Sequence, residues 1–358
     1  MMKILFFASD FKIGLSALLT AQTCAFAKAG IRLHVVCSEG EQEPGLHDRL
    51  KSSGIEYTII KNLDAHEGFL QKALSIRQLI RRTGCSHVHV QNNWQLALVA
   101  WAKYFMRNAP EVIYTLHGFR HNHPIKAKIA KIVIGGALFL FADKVICMCQ
   151  YLKKEFSLLQ RKIVLQPLGI DSSFFEPAPL PATKGLKLIF PAQFREGKNQ
   201  DMIIRAFADY LAQSGNTESH LSLPGSGPKL DEMKALSVSL GICDRVTFPG
   251  LCSKQQIVEL YRNSNVAVVA SNSETFGQSI VEPFAMGRII ISRPVGIAPD
   301  IIRHGETGFL FDTPNDLTAL FMQLDRAFPL SVVESAKRHA LIFRWANIAE
   351  DYREKFLR

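Results

Sequence analysis

Residues 271–287 read Ser271-Asn-Ser-Glu274-Thr-Phe-Gly277-Gln-Ser-Ile-Val-Glu282-Pro-Phe-Ala-Met-Gly287. The stretch passes from strand exit to glycine turn to apolar helix, a unit from which parallel α/β sheets are built. Glu274 would sit at the mouth of the turn and Glu282 about two helical turns further on, each able to accept hydrogen bonds from hydroxyls. Between them, the backbone N–H groups that open the helix, near Gln278 and Ser279, form a site for phosphate. Hydroxyls on either side of phosphate describe a nucleotide sugar. The bland alternative is two solvated charges on a helix face. Pro283 comes early in the helix, so a kink or a later start would move Glu282.

Working outward, the same alternation of short apolar runs and helical patterns fills the chain. In the first half, strands are expected at Lys3–Ala8, Arg32–Cys37, Tyr57–Ile60, His87–Gln91, Val112–Leu116, Lys144–Cys147 and Lys162–Gln166. A helix around Ser16–Ala29 ends at Gly30, with Ser16 as its cap and Gly14 in the strand-to-helix turn, where the absence of Cβ lets backbone approach a ligand. Pro177, Pro179 and Pro181 then mark a connector. The rhythm restarts with strands at Leu186–Ala192, His220–Leu223, Arg245–Phe248, Val266–Ala270, Ile289–Ser292 and Gly308–Phe311. The fold class is α/β: two doubly wound, Rossmann-like domains facing a central cleft, with ligands beyond the carboxyl ends of the strands. Gly225-Ser-Gly227 lacks the third glycine of a dinucleotide fingerprint and reads as a structural turn.

A length of 358 residues favours two domains, and 47% hydrophobic with 21% charged residues gives material for two cores and no reason for disorder. The net charge of +10 is uneven: residues 1–168 carry 22 Lys+Arg against 11 Asp+Glu, the remainder 20 against 21. A basic half favours anionic partners or is simply a soluble surface. Seven scattered cysteines without a CxxC pair suit buried residues in a reducing compartment. The N-terminus reads as a first strand and not a signal, so the expected location is the cytoplasm.

Glu, seven residues, Glu, with Phe-Gly after the first acid, resembles the donor-binding signature of the family 4 retaining glycosyltransferases, and Ile289 to Phe311 resembles the family's following strand, loop and turn. The resemblance implies the GT-B architecture: residues 1–170 as the acceptor-binding domain, 171–340 as the nucleotide-sugar domain, and 341–358 as a helix crossing back to the first. It further implies that Glu274, with the backbone at Phe276 and Gly277, holds the sugar, and that Glu282 receives the ribose. Lys198, in Gln193-Phe-Arg195-Glu-Gly-Lys198, matches the family's lysine on the diphosphate. Gln193 stands at the family's usual arginine position, leaving Arg195 or a neutral hydrogen bond to serve. Gly14 is single where the family often has a pair. His117 matches the family's Thr-x-His, where an imidazole meets a sugar hydroxyl or orients the acceptor.

His117, His121 and His123 suggest a metal, yet no carboxylate or Cys partner stands at ligand spacing, and the chain has no Asp-x-Asp to hold Mg²⁺ or Mn²⁺. Neither cofactor nor metal is expected, the nucleoside-diphosphate sugar being a co-substrate. From Arg120 to Lys154 seven basic residues and one acid surround the apolar run Ile132–Ala142. Eleven residues cannot span a bilayer as a helix. Two readings remain: a core helix with a solvated basic side, or a helix on an anionic leaflet with Lys126, Lys128 and Lys131 toward headgroups. Nucleic acid is not an expected partner, since stacking aromatics and helix-turn-helix or RNA-recognition signatures are lacking.

The expected activity is retaining, metal-independent transfer of a hexose or N-acetylhexosamine from a UDP-sugar or similar donor to a saccharide or polyprenyl-diphosphate-linked acceptor. Its setting would be O-antigen, lipopolysaccharide or capsule biosynthesis at the inner membrane face. The competing readings are a nucleotide-sugar epimerase of the same fold and a non-catalytic nucleotide-sugar or anionic-lipid binding protein.

Overall fold

The computed structural model describes residues 3–8, 13–39, 46–104, 106–117, 124–156, 159–176, 178–182 and 184–357, with backbone alone at 13–17, 46–47 and 124–127. By contacts the chain divides into one unit of Met1–Gly169 with Trp345–Arg358 and a second of Ile170–Arg344.

The first unit runs β1 (Lys3–Phe7), α1 (Ile13–Lys28), β2 (Arg32–Glu39), α2 (Leu46–Ser52), β3 (Glu56–Lys61), α3 (Phe69–Thr83), β4 (His87–Val90), α4 (Asn93–Lys103) and β5 (Glu111–Thr115). It continues through α5 (Pro124–Phe141), β6 (Lys144–Cys147), α6 (Gln150–Glu155) and β7 (Ile163–Leu165). Its seven strands pair in the order β3-β2-β1-β4-β5-β6-β7, all parallel. The second unit runs β8 (Lys187–Ile189), α7 (Gln200–Ser214), β9 (His220–Ser222), α8 (Leu230–Ser239), β10 (Val246–Thr247), α9 (Lys254–Arg262), β11 (Val266–Val269) and α10 (Gln278–Ala285). It closes with β12 (Ile289–Ser292), α11 (Ala298–Ile301), β13 (Phe309–Leu310), α12 (Pro314–Arg326) and α13 (Leu330–Ala340). These six strands order β10-β9-β8-β11-β12-β13, again parallel. Both sheets reverse their winding once, between β1 and β4 and between β8 and β11, the switch points where such sheets open a ligand crevice.

Fully buried runs such as Ile289–Ser292 and Val266–Val269 form central strands because both their faces meet helices. The last helix, α14 (Trp345–Phe356), belongs to the first unit. Its Ile348, Ala349, Tyr352 and Phe356 join the core formed by β1, β2 and α1, and the Tyr352 hydroxyl reaches buried His89 Nδ1 at 3.1 Å. Burial holds the His89 imidazole well below its ordinary value, down to about 3, so it is neutral.

Three expectations need correction. Gly14 does not stand in a turn before the helix: α1 begins at Ile13, so Gly14 and Ser16 both lie in its first turn. A glycine is tolerated there, so strand-exit position alone misplaces the boundary. Pro283 does not delay α10, which opens at Gln278 and runs through the proline. Helix α5 is not a core helix with a solvated basic side: Lys128 is exposed, but so is its apolar stripe. Ile129, Ile132, Val133, Phe139 and Leu140 are 55–73% exposed, while Leu138 and Gly135 face inward. Lys131 is turned to α6, where it pairs with Glu155 and lies over the Phe156 ring. Each exposed large side chain forgoes about 1.5–3 kcal/mol that burial would supply. The side chain of Lys126, and His121 and His123, lie outside the described residues.

Candidate functional site

In the second unit the loop after β8 carries Gln193 to Lys198, and the loop after β11 carries Ser271 to Gly277, so both emerge at the switch point. The Lys198 ammonium pairs with the Glu274 carboxylate, with side chains only 12% and 11% exposed. A carboxylate this shielded is retained in its charged form at a stability cost unless a cation meets it. Asn199 fastens the two loops: its Nδ2 donates to Ala270 O at 2.8 Å and to Asn272 Oδ1 at 2.7 Å, while Asn272 N donates to Gly197 O at 2.8 Å.

Gly277 begins α10 at φ 100°, a conformation side chains rarely adopt, and turns the chain so that the N–H groups of Gln278 and Ser279 open the helix. Gly296, after β12, has φ +56°, and a Cβ there would lie 2.5 Å from Phe276 O and 2.9 Å from Glu274 Cβ. Ile297 N donates to that same Phe276 oxygen at 2.8 Å. Gly296 therefore sets how closely the next loop supports Glu274, a role that the sequence pattern does not assign to it.

The 193–198 loop rests on the glycine turn: Ala192 N donates to Pro224 O, and Phe194 N to Ser226 O at 2.9 Å. Gly225-Ser-Gly227 thus braces the loop, in keeping with a structural turn. Gln193 is exposed, and its backbone carbonyl accepts from Gln200 Nε2 at 3.0 Å. Arg195 is half-buried and donates to Glu196 O at 3.2 Å. A cation that sequence reasoning misses is Arg293, which follows β12. Its NH1 donates to Asn272 Oδ1 at 2.5 Å, and its buried Nε has no partner. An arginine directly after a fully buried strand is the signal available for it.

Glu282, on α10, keeps a sliver of exposed surface, but protein surrounds its carboxyl. Burial pushes that carboxyl up to about 8; Lys254 draws it down, Asp171 pushes it up, and the Tyr261 hydroxyl draws it down. Lys254 Nζ and Asp171 Oδ2 are themselves paired at 2.7 Å. The buried Tyr261 hydroxyl has no partner at ordinary hydrogen-bond distance, and burial raises it well above its usual value. Behind Tyr261, fully buried Arg288 donates from Nε to Tyr261 O at 2.9 Å and from NH2 to Ala178 O and Pro179 O at 3.1 Å.

His117, at the carboxyl end of β5 in the first unit, meets Gln91 Oε1 through Nε2 at 2.7 Å. Gln91 Nε2 and Asn92 Nδ2 beside it are buried without partners. Among the described residues no group of three or more His, Cys, Asp or Glu could hold a metal.

The chain as a whole is similar to known proteins. The model for Glycosyl transferases group 1 matches residues 172–338, and that for Glycosyltransferase Family 4 matches residues 14–174. D-inositol 3-phosphate glycosyltransferase of Acidothermus cellulolyticus is 28% identical over 207 residues, 53% of this chain and 46% of that protein. The same-named protein of Mycolicibacterium vanbaalenii is 32% identical over 200 residues, 51% of this chain and 44% of its own. The chain thus matches less than half the length of these curated relatives. In fold it is similar to Anabaena Alr3699/HepE in complex with UDP, with TM-score 0.79 and 19% identity over 99% of this chain and 100% of that one. It is likewise similar to the lipopolysaccharide outer core galactosyltransferase WaaB, with TM-score 0.74 and 17% identity over 99% and 98%. Matched by consecutive family models across both of its units, the chain belongs to the family 4, group 1 glycosyltransferases and has their GT-B fold.

Proposed function

We propose that the protein moves a hexose or N-acetylhexosamine from a nucleoside-diphosphate sugar, most simply a UDP-sugar, to a saccharide or lipid-linked saccharide with retention of configuration. The observation that carries this reading is the Lys198–Glu274 pair at the β8/β11 switch point, in the same loop that opens α10 at Gly277. Glu274 and the backbone at Phe276 and Gly277 receive the sugar, and Glu282 receives the ribose hydroxyls. As the bond from C1 to the diphosphate oxygen breaks, negative charge grows on the leaving group. Lys198, with Arg195 or Arg293 and the α10 N–H groups at Gln278 and Ser279, offsets it. Gln193 adds a neutral hydrogen bond. The acceptor oxygen bonds to C1 on the face the diphosphate leaves, and its proton passes to the departing phosphate oxygen. His117 hydrogen-bonds a sugar hydroxyl or orients the acceptor. Lysine and helix dipoles perform the task assigned to Mg²⁺ in Asp-x-Asp enzymes, so turnover is expected to persist in chelator.

Names of similar proteins support a nucleotide-sugar donor: Alr3699/HepE was solved with UDP and with UDP-glucose. The acceptor is assigned to surface-polysaccharide assembly, at the cytoplasmic face of the cell membrane, from the basic first half and the likeness to WaaB. The test is a panel of nucleotide sugars with diphosphate release followed with and without lipid-linked saccharides. Release dependent on acceptor, abolished in a folded Glu274→Ala, is the expected result. Donor consumption without acceptor would make the protein an epimerase, and binding without turnover a binding protein. A covalent sugar trapped on Glu274 during turnover would overturn the same-face route.

A further inference from the structure

Helix α5 carries apolar residues at 129, 132, 133, 136, 139 and 140, the i, i+3, i+4, i+7 spacing of an amphipathic helix. At 100° per residue these positions fall within an arc of about 120°. On a surface helix that arc ordinarily faces the core. Here it faces outward, with all five large side chains on it exposed. The opposite side makes the packing contacts through Gly135, Leu138 and Lys131. The helix is secured at its end as well: Lys162 donates to Ala142 O at 2.7 Å and lies over the Phe139 ring. An inverted helix held this firmly is not a frayed one.

We propose that this face of α5 lies in the surface of a bilayer containing anionic phospholipid, with Ile132, Val133, Phe139 and Leu140 in the acyl boundary and Lys128 among the phosphates. Charge selects this occupant over a second copy of the chain. A two-fold contact would bring Lys128 and a unit with 22 basic residues against 11 acidic ones in residues 1–168 up against themselves, whereas an anionic leaflet complements them. The helix is about 27 Å long by its rise per residue. No helix among the described residues is long and apolar enough to cross a membrane, so this one lies along the surface. Apolar insertion, and not lysine attraction alone, is what the outward arc adds: Lys131 is already engaged with Glu155.

The inference rests on the reading of a lipid-linked acceptor for its purpose, but vesicle binding is measured without donor or acceptor, so the two fail separately. The full-length protein is floated with vesicles of phosphatidylcholine and of phosphatidylcholine mixed with phosphatidylglycerol. The parent should float with the mixed vesicles, and high salt should weaken this without abolishing it. Ile132→Asp with Leu140→Asp should lower partition by about tenfold or more while circular dichroism and the thermal transition stay as in the parent. Phe139→Trp should show a blue-shifted emission quenched by brominated lipid. A parent that stays unbound, a double variant that floats equally well, or an indole probe in the Phe139→Trp variant that remains in water would overturn the proposal. So would light scattering that finds a dimer split by the double variant, which would assign the face to a second copy.

Discussion

The two acids of one motif receive opposite treatment. At the mouth of the turn, Glu274 meets a lysine across two loops that Asn199 ties together. Inside α10, Glu282 meets a tyrosine hydroxyl without firm partners and an ion pair, Lys254 with Asp171, whose two charges act on it in opposite senses. The first carboxylate is paired with a cation; the second holds its proton more tightly than an ordinary carboxyl. The difference teaches that spacing positions two carboxyls, while burial and neighbours decide what each can do.

The sharpest way to break the contrast is at Glu274's partner. Lys198→Met should lower the rate of transfer by about 10²–10³-fold, since a charge opposite the leaving diphosphate is removed. It should also lower the melting temperature, because Glu274 is left shielded and uncompensated. Unchanged kcat in this variant would remove Lys198 from the chemistry. Gly296→Ala should have the next effect: crowding Phe276 O and Glu274 Cβ at positive φ displaces the acid, with a loss of about 1–3 kcal/mol in stability by denaturant titration and a fall in kcat.

The smaller effects lie at Glu282 and show in pH profiles. Its folded pKa of about 8 exceeds the ordinary 4.5, so the native state binds a proton the unfolded chain releases. Its contribution to stability is therefore full below the ordinary value and declines as pH rises through the folded one. Ribose hydroxyls favour the carboxylate, so nucleotide affinity should strengthen with pH, by at most about tenfold per unit, and level off above the folded pKa. Glu282→Gln should flatten both profiles, as read by calorimetric titration and by melting at several pH values. Tyr261→Phe removes a hydroxyl that draws Glu282 down, so the affinity midpoint should move to higher pH by less than about one unit, with little change in stability.

Much of this is legible without coordinates. Ile289–Ser292 is placed with its bounds, because a buried run of β-branched residues before a Pro-Gly loop has few other uses. The strand exit, glycine turn and helix around Glu274 and Glu282 are placed as well. Gly14 is not, since a glycine at the end of a strand and one in the first helical turn follow the same apolar run. Arg293 and Gly296 escape because their importance comes from approaching Asn272 and Phe276, which are about twenty residues away in sequence.

The sequence by itself determined that two parallel sheets would form, one on either side of the prolines, and which acids flank the glycine turn, because these depend on local periodicity and turn chemistry. Only the tertiary structure decided that Glu274 is paired while Glu282 is buried, and that the apolar stripe of α5 faces out. Periodicity defines a stripe on a helix but not its direction, which is settled by what the other side of the helix packs against.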